Sequence, residues 1–211
     1  MRLVASTITT TAVCLLALHA YAQGPNGVAE NSDVLWIGLA NGTEAEADTA
    51  AALRTLMRRY DLEPWILTRT VLIDAKQIPD SDPILTIDTV PVDKEPELLS
   101  TFLHEELHWL EKPPWGPDFR AAMKDYEAVF PDVPSGNEGG ARDRESTYRH
   151  LLVCDLEFQA MKALVGEAVA RRTLSGITHY EWIYDKVLND GRVHEVAVRH
   201  GLDASKGVAK R

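Results

Sequence analysis

The sequence predicts a mostly helical α+β fold, a single domain in which a small β-sheet precedes most of the helices. Three observations support this prediction. The chain has 211 residues, enough to bury the core of one domain. Segments rich in β-branched residues are confined to the first half of the chain, and from about Glu95 onward one helical pattern follows another. Strands and helices that are segregated along the chain are typical of α+β domains.

The N-terminal segment, residues 1–22, is expected to be a signal peptide. Arg2 supplies a positive charge, an apolar run follows, and the segment ends in the sequence AYA, the small-x-small pattern that signal peptidase requires. The apolar run is shorter than the roughly 20 residues that span a bilayer. Residues 23–33, rich in Gly, Pro, Asn and Ala, are expected to be a flexible tether. Residues 34–211 would then form an exported domain, periplasmic or secreted.

Charge and cysteine content restrict the function of this domain. The net charge of −10 is unsuited to a protein that binds nucleic acid or anionic membranes. Outside the signal peptide, Cys154 is the only cysteine, so an intramolecular disulfide is excluded. Stability must therefore come from packing, from a bound metal, or from both. After the signal peptide, no hydrophobic run is long enough to predict a membrane span.

The first part of the domain is expected to contain strands and one helix. Residues 34–39 form a short strand or buried segment that ends at an Asn-Gly turn signal. Thr43 can cap a helix over residues 43–60, in which acidic residues come early and arginines late, as the helix dipole favours. Residues 65–74 and 84–90 are rich in β-branched residues and predict two strands, neighbours in a small sheet.

The rest of the chain predicts helices over residues 95–110, 118–129, 144–172, 179–188 and 192–200. The first of these contains the informative motif, His104-Glu105-x-x-His108. Residues four apart lie about 40° apart around a helix, so the two imidazoles point the same way and can hold one ion. Glu105 is offset from His104 by about 100°, which places its carboxylate beside the ion, where it can take a proton from water. A partly exposed helix with two histidines is the structural alternative.

A zinc hydrolase site needs a third protein ligand. Glu157 is the favoured candidate, because its neighbours on the same helical face are apolar or contain sulfur, and a carboxylate buried there needs a partner. His150 lies two turns earlier and about 20° away around the helix. It can be the third ligand itself, a hydrogen-bond donor to the substrate, or a buried structural histidine.

A second group of histidines near the C-terminus has a different spacing. His194 is followed by Glu195, but His200 is six residues after His194, which places the two imidazoles about 120° apart around a helix. This group is therefore not expected to bind a metal. Other residues of interest are Trp109 and Trp115, expected mainly as core, and three candidate oxyanion donors that are more often structural, Tyr148, His179 and Tyr180.

These residues resemble the zincin metallopeptidases, and within them the gluzincin branch. The resemblance rests on His104-Glu105-x-x-His108 and on the sequence EFQA beginning at Glu157, which is similar to the E-x-x-A segment that follows the motif in several gluzincin families. It implies a zincin-like domain in which Zn2+ is held by His104, His108 and Glu157, with Glu105 as the catalytic base. It also implies that the last strand, near residues 84–88, lines an extended substrate.

Two positions depart from the family pattern. Glu106 stands where zincins usually have an uncharged residue, so it must face solvent or find a partner. Met161 stands where an Asp often follows the third ligand, so the group that orients a zinc-bound histidine is not identified from the sequence.

The leading functional hypothesis is a zinc-dependent metallopeptidase that acts on a peptide or protein substrate outside the cytoplasm. Water activated by Glu105 would attack a zinc-polarised amide carbonyl. The alternative is a non-catalytic exported protein that keeps zinc for stability or for an interaction, and a third hypothesis is a zinc hydrolase of a non-peptide bond. Glu105→Gln separates the first two, since the change abolishes turnover in an enzyme and is silent in a structural zinc protein.

Overall fold

The computed structural model describes residues 35–91 and 93–208. The predicted signal peptide, residues 1–22, and the predicted tether, residues 23–33, lie outside these described residues. The described residues form one compact unit, a mostly helical α+β domain with a small sheet, as the sequence predicts.

The sheet is parallel and has three strands in the described part of the chain, in the order β1 (Trp36–Leu39), β2 (Thr70–Ile73) and β3 (Leu85–Ile87). Alternate residues of β2 and β3 point into the core, so that Val71 lies beside Leu85 and Ile73 beside Ile87, all of them fully buried. The two predicted strands are confirmed as neighbours, in shorter form. The first predicted segment adds the third strand.

A helix, α1 (Glu44–Arg59), connects the parallel strands β1 and β2, which require a crossover connection. It begins where the sequence predicts. The Thr43 hydroxyl accepts the backbone N–H of Glu46 at 3.3 Å, and the Glu46 carboxylate accepts the backbone N–H of Thr43 at 3.1 Å. This capping box satisfies two donors that a helix start leaves free.

Six further helices follow β3 in the described residues, namely α2 (Glu95–His108), α3 (Gly116–Val129), α4 (Arg144–Val165), α5 (Glu167–Leu174), α6 (Glu181–Asn189) and α7 (Arg192–Arg199). The longest, α4, lies at the centre and packs against α2, α3, α5, α6 and α7. Its middle is buried on every side, from Leu151 to Met161. Within the described residues, none of these helices is both long enough and apolar enough to cross a membrane.

The single long helix predicted over residues 144–172 is wrong, because the structure divides it into α4 and α5. Gly166 lies between them with φ of 83° and ψ of 155°. A residue with a side chain rarely adopts this backbone conformation, whereas glycine adopts it readily. The break lets the chain change direction after α4.

Candidate metal centre

A cleft of about 1050 Å³ opens between α2, the first half of α4, the loop before α6 and residues 78–82. The residues that the sequence singled out all line this cleft, namely His104, Glu105, His108, His150 and Glu157. Residues 84–88, which the family resemblance places along an extended substrate, are not among the described residues that line the cleft. Residues 78–82, which precede β3 in the chain, line the cleft instead.

Three histidine rings converge in the cleft. His104 and His108 lie one turn apart on α2, and His150 faces them from α4. The ring centroids are 5.0 Å apart for His104 and His108, 5.1 Å for His108 and His150, and 5.5 Å for His104 and His150. The three residues can offer ligand atoms that all lie within 4.8 Å of one another.

The Nδ1 atom of each ring is held by an acceptor. Nδ1 of His104 lies 3.0 Å from a carboxylate oxygen of Glu157, and Nδ1 of His108 lies 3.2 Å from one of Glu111. Nδ1 of His150 lies 2.7 Å from the backbone carbonyl of Ser146, which can only accept. With the ring proton on Nδ1 in each case, the lone pair of Nε2 is free to bind a metal.

The spacing of the rings fits a zinc ion. Zinc binds imidazole nitrogens at about 2.0–2.1 Å and is usually tetrahedral in proteins, so three coordinated imidazoles have centroids about 5 Å apart. The observed separations of 5.0, 5.1 and 5.5 Å agree with this value. The outward hydrogen bond of each ring is also what metal-binding histidines usually make.

The protonation of the histidines favours the same chemistry. Burial, followed by the proximity of His108 and His179, lowers the pKa of His104 well below its ordinary value. Burial, followed by the proximity of His104 and His108, lowers the pKa of His150 to about 3. Both rings are therefore neutral at physiological pH, which is the form that binds metal ions.

Glu157, the third ligand that the sequence favours, lies behind His104. Its carboxylate is fully buried and accepts hydrogen bonds from the hydroxyls of Ser100 and Tyr184, the latter at 2.9 Å, in addition to the contact with His104. Among the described residues, it groups as a metal ligand only with His104 and Cys154. Burial raises its pKa to about 7, although the bonds from Ser100 and Tyr184 act against this shift. The contacts therefore favour His150 as the third ligand.

Glu105, the predicted base, lies in the wall of the cleft with 7% exposure. Within the described residues, its carboxylate has no hydrogen-bond or ion-pair partner. Burial is the main reason that its pKa rises to about 8, and the nearby carboxylates of Asp80 and Glu157 add to the effect. A cation held by the neighbouring histidines would lower this pKa, which would allow the carboxylate to act as a general base near neutral pH.

Glu106 is buried like Glu105 but, unlike it, accepts hydrogen bonds. It is fully buried, and one carboxylate oxygen accepts the backbone N–H groups of Leu67 at 2.7 Å and Thr68 at 2.9 Å. Its other oxygen is buried and has no hydrogen-bond partner among the described residues. Burial raises the pKa of Glu106 to about 8, against the effect of these two bonds. The sequence analysis expects Glu106 either to face solvent or to have a partner, and in the structure it has hydrogen-bond partners.

Two of the three candidate oxyanion donors line the cleft, and the third does not. Tyr180 and His179 line the cleft, and the Tyr180 ring centroid lies 4.4 Å from that of His150. Tyr180 has a φ of 61°, a strained conformation for a residue with a side chain. Burial raises its pKa to about 12, so its hydroxyl keeps its proton.

Tyr148 does not line this cleft, and its hydroxyl donates to the carbonyl of Phe130 at 3.0 Å. Trp109 and Trp115 also lie outside the cleft lining.

Sequence reasoning missed four contributors to the site, namely Ser100, Glu111, Ser146 and Tyr184. The first three lie three or four residues from one of the site histidines, so helical spacing is the signal that would have identified them. Tyr184 lies 27 positions after its partner Glu157 and belongs to another helix. Local sequence spacing contains no signal for such a contact.

The second group of histidines does not converge. Nδ1 of His194 lies 3.0 Å from a carboxylate oxygen of Asp155, and Nε2 of His200 lies 2.9 Å from one of Asp125. Each ring thus contacts a different carboxylate.

Comparison with known proteins adds no further information, since no protein-family model, curated protein or solved structure matches the chain. The resemblance to zincins therefore stays a prediction from the motif, and the geometry of the cleft is the basis for assigning a function.

Proposed function

We propose that this chain is a zinc-dependent hydrolase, and specifically a peptidase that acts after export. His104, His108 and His150 hold the metal, and Glu105 is the general base. The observation that carries the proposal is the convergence of three imidazoles, each anchored through Nδ1, next to a buried carboxylate without a partner.

When bound, zinc would supply Lewis-acid polarisation of a substrate carbonyl and would lower the pKa of water. The chain itself supplies proton transfer. A carboxylate oxygen of Glu105 takes the proton of the attacking water and then gives it to the leaving amine. Because Glu105 immediately follows His104 on α2, the base and the metal ligand are positioned by one rigid element.

The wall opposite the histidines favours a peptide as the substrate. Asp80 pairs with the outer edge of β3, since its N–H donates to the Thr86 carbonyl at 3.1 Å and its carbonyl accepts the Thr86 N–H at 2.7 Å. Within the described residues, neither the N–H nor the carbonyl of Ser81, the next residue, makes a hydrogen bond. Ser81 lines the cleft. An extended peptide can therefore add to this segment through backbone hydrogen bonds.

The apolar side chain of Ile78 supports the same assignment. It lines the cleft, and 80% of its surface is exposed. A substrate side chain that covers it would gain hydrophobic contact. The cleft thus offers both backbone and side-chain contacts to a polypeptide.

The decisive experiment measures metal and activity in the same sample. Purified protein is expected to contain about one zinc per chain and to cleave unfolded protein or mixed peptide substrates, with activity lost on chelation and restored by zinc. Zinc without cleavage of any peptide would favour the non-catalytic alternative or a hydrolase of a non-peptide bond. Wild-type protein that binds no zinc, even after reconstitution, would contradict the proposal.

A further inference from the structure

We infer that Ser100, Glu157 and Tyr184 form a buried positioning cluster that orients His104 for metal binding. This inference rests on the proposed function, because the metal is what the cluster would serve. It assigns Glu157 a role behind the ligand and gives α6, a helix from the last part of the chain, a part in the site. We refer to these three residues as the Glu157 cluster.

The cluster is assembled from three helices. Ser100 comes from α2, Glu157 from α4 and Tyr184 from α6, and their exposures are 3%, 0% and 3%. One oxygen of Glu157 accepts the Ser100 hydroxyl. The other accepts the Tyr184 hydroxyl at 2.9 Å and lies 3.0 Å from Nδ1 of His104. Since α2, α4 and α6 converge on a single carboxylate, its position is fixed from three directions.

Donors surround Glu157, and this is what makes the cluster suited to its role. Burial of a carboxylate is costly unless hydrogen bonds compensate for the lost water, and hydroxyl groups of Ser and Tyr can supply such bonds. A carboxylate oxygen that accepts from Nδ1 keeps the ring proton of His104 on that atom. The Nε2 lone pair is then directed at the metal, and the ring cannot rotate without breaking a buried contact.

The other two histidines have simpler anchors. His108 contacts Glu111, whose side chain is 31% exposed and is shared with Arg149 at 3.0 Å. His150 contacts the backbone carbonyl of Ser146, one turn earlier on its own helix. Only His104, among the three, depends on a buried anchor from distant parts of the chain. We therefore expect the metal site to be most sensitive to changes behind His104.

The test compares zinc affinities by competition with a chromophoric chelator in the full chain. Tyr184→Phe and Ser100→Ala are each expected to weaken zinc binding about 10-fold, and Glu157→Gln about 10–100-fold. Ser100→Thr keeps a hydroxyl and should restore much of the affinity lost in Ser100→Ala. Tyr148→Phe is the matched control, because it removes a buried tyrosine hydroxyl outside the cleft. It should leave zinc affinity unchanged.

A spectroscopic measurement separates positioning from coordination. The visible bands of a cobalt-substituted protein depend on the atoms bound to the metal. If Glu157 positions His104, the bands of Glu157→Gln should keep their wavelengths while cobalt affinity falls. Bands that shift in Glu157→Gln would show that Glu157 is itself a ligand and would overturn the inference.

The possible failures are distinguishable. Wild-type protein that binds no metal would refute the proposed function. Wild-type protein that binds zinc, together with Tyr184→Phe and Ser100→Ala variants that bind it equally well, would refute the Glu157 cluster alone. The two hydroxyl variants are tested separately, so that a folding defect in one of them leaves the other as the measurement.

Discussion

His104 and His194 make nearly the same contact in different surroundings. In both, Nδ1 lies 3.0 Å from the oxygen of a fully buried carboxylate on α4, Glu157 for the first and Asp155 for the second. Burial lowers the pKa of His104, whereas the bond to Asp155 raises the pKa of His194. The side chain of His104 is 12% exposed and that of His194 is 38% exposed.

The difference lies in what surrounds each ring. Burial of His104 disfavours a positive charge, and the nearby rings of His108 and His179 add to this effect, so that the ring is neutral. Around His194 the carboxylates of Asp155 and Asp203 favour a charged ring. A histidine next to a buried acid is thus not sufficient evidence for a metal site. Convergence of three histidine rings is the feature that distinguishes the cleft from the C-terminal group.

The largest expected effect is a loss of catalytic rate on replacement of Glu105, the glutamate that follows His104. Glu105→Gln should lower kcat about 10²–10⁴-fold with zinc content unchanged, because the amide cannot take a proton from water. Glu195→Gln is the matched control, since Glu195 follows His194 as Glu105 follows His104 and is exposed. Its kcat should equal that of wild type. Peptide-cleavage kinetics and elemental analysis of both variants make the comparison, and full activity in Glu105→Gln would exclude Glu105 as the base.

The next effect concerns metal binding. Structural zinc contributes about 10–16 kcal/mol of apparent binding free energy, so that one of three or four ligands accounts for about 3 kcal/mol. His150→Ala should therefore weaken zinc binding at least about 100-fold, while His194→Ala should leave it unchanged. Chelator competition measures both variants. Unaltered zinc affinity in His150→Ala would return Glu157 to the role of third ligand.

The smallest effect is the pH dependence of the C-terminal ion pair. The bond to Asp155 is the main cause of the raised pKa of His194, with the charges of Asp155 and Asp203 adding to it and burial and Lys162 opposing it. A raised pKa in the folded state stabilises the fold fully below the ordinary pKa of histidine, and this stabilisation is lost as the pH rises through the folded pKa. His194→Gln should thus lower the free energy of unfolding by less than about 1 kcal/mol near pH 5.5.

Urea unfolding at about pH 5.5 and about pH 9 measures this difference. At the higher pH, His194 is neutral in the folded and the unfolded chain, and the variant should approach wild type. A destabilisation of the same size at both pH values would indicate lost packing rather than a lost ion pair.

The sequence predicted the site well where the signal was local. The spacing of His104, Glu105 and His108 on one helix predicted that these side chains lie together, and all three line the cleft. The third ligand was ambiguous because His150 and Glu157 lie on nearly the same face of α4, two turns apart. Helical periodicity gives the direction of a side chain, but the packing of α2 against α4 decides which residue reaches the other histidines.

Fold prediction had a similar limit. The capping residue Thr43 and the strands were recognised because their signals are local. Gly166 was not recognised as a helix break, because an isolated glycine inside an apolar helical pattern is often tolerated, and its unusual φ is visible only in three dimensions. The contact of Tyr184 with Glu157 depends on how α6 returns to α4, which no local pattern specifies.

The buried carboxylate of Glu106 gives a means of observing the motion of helix α2. The amides of Leu67 and Thr68 lie outside any strand, yet both donate to this carboxylate in α2. Their hydrogens can exchange with solvent only when α2 separates from the segment that leads into β2. Two slowly exchanging amides in a loop would thus report how often the helix that carries His104 and His108 opens, without a probe placed in the cleft.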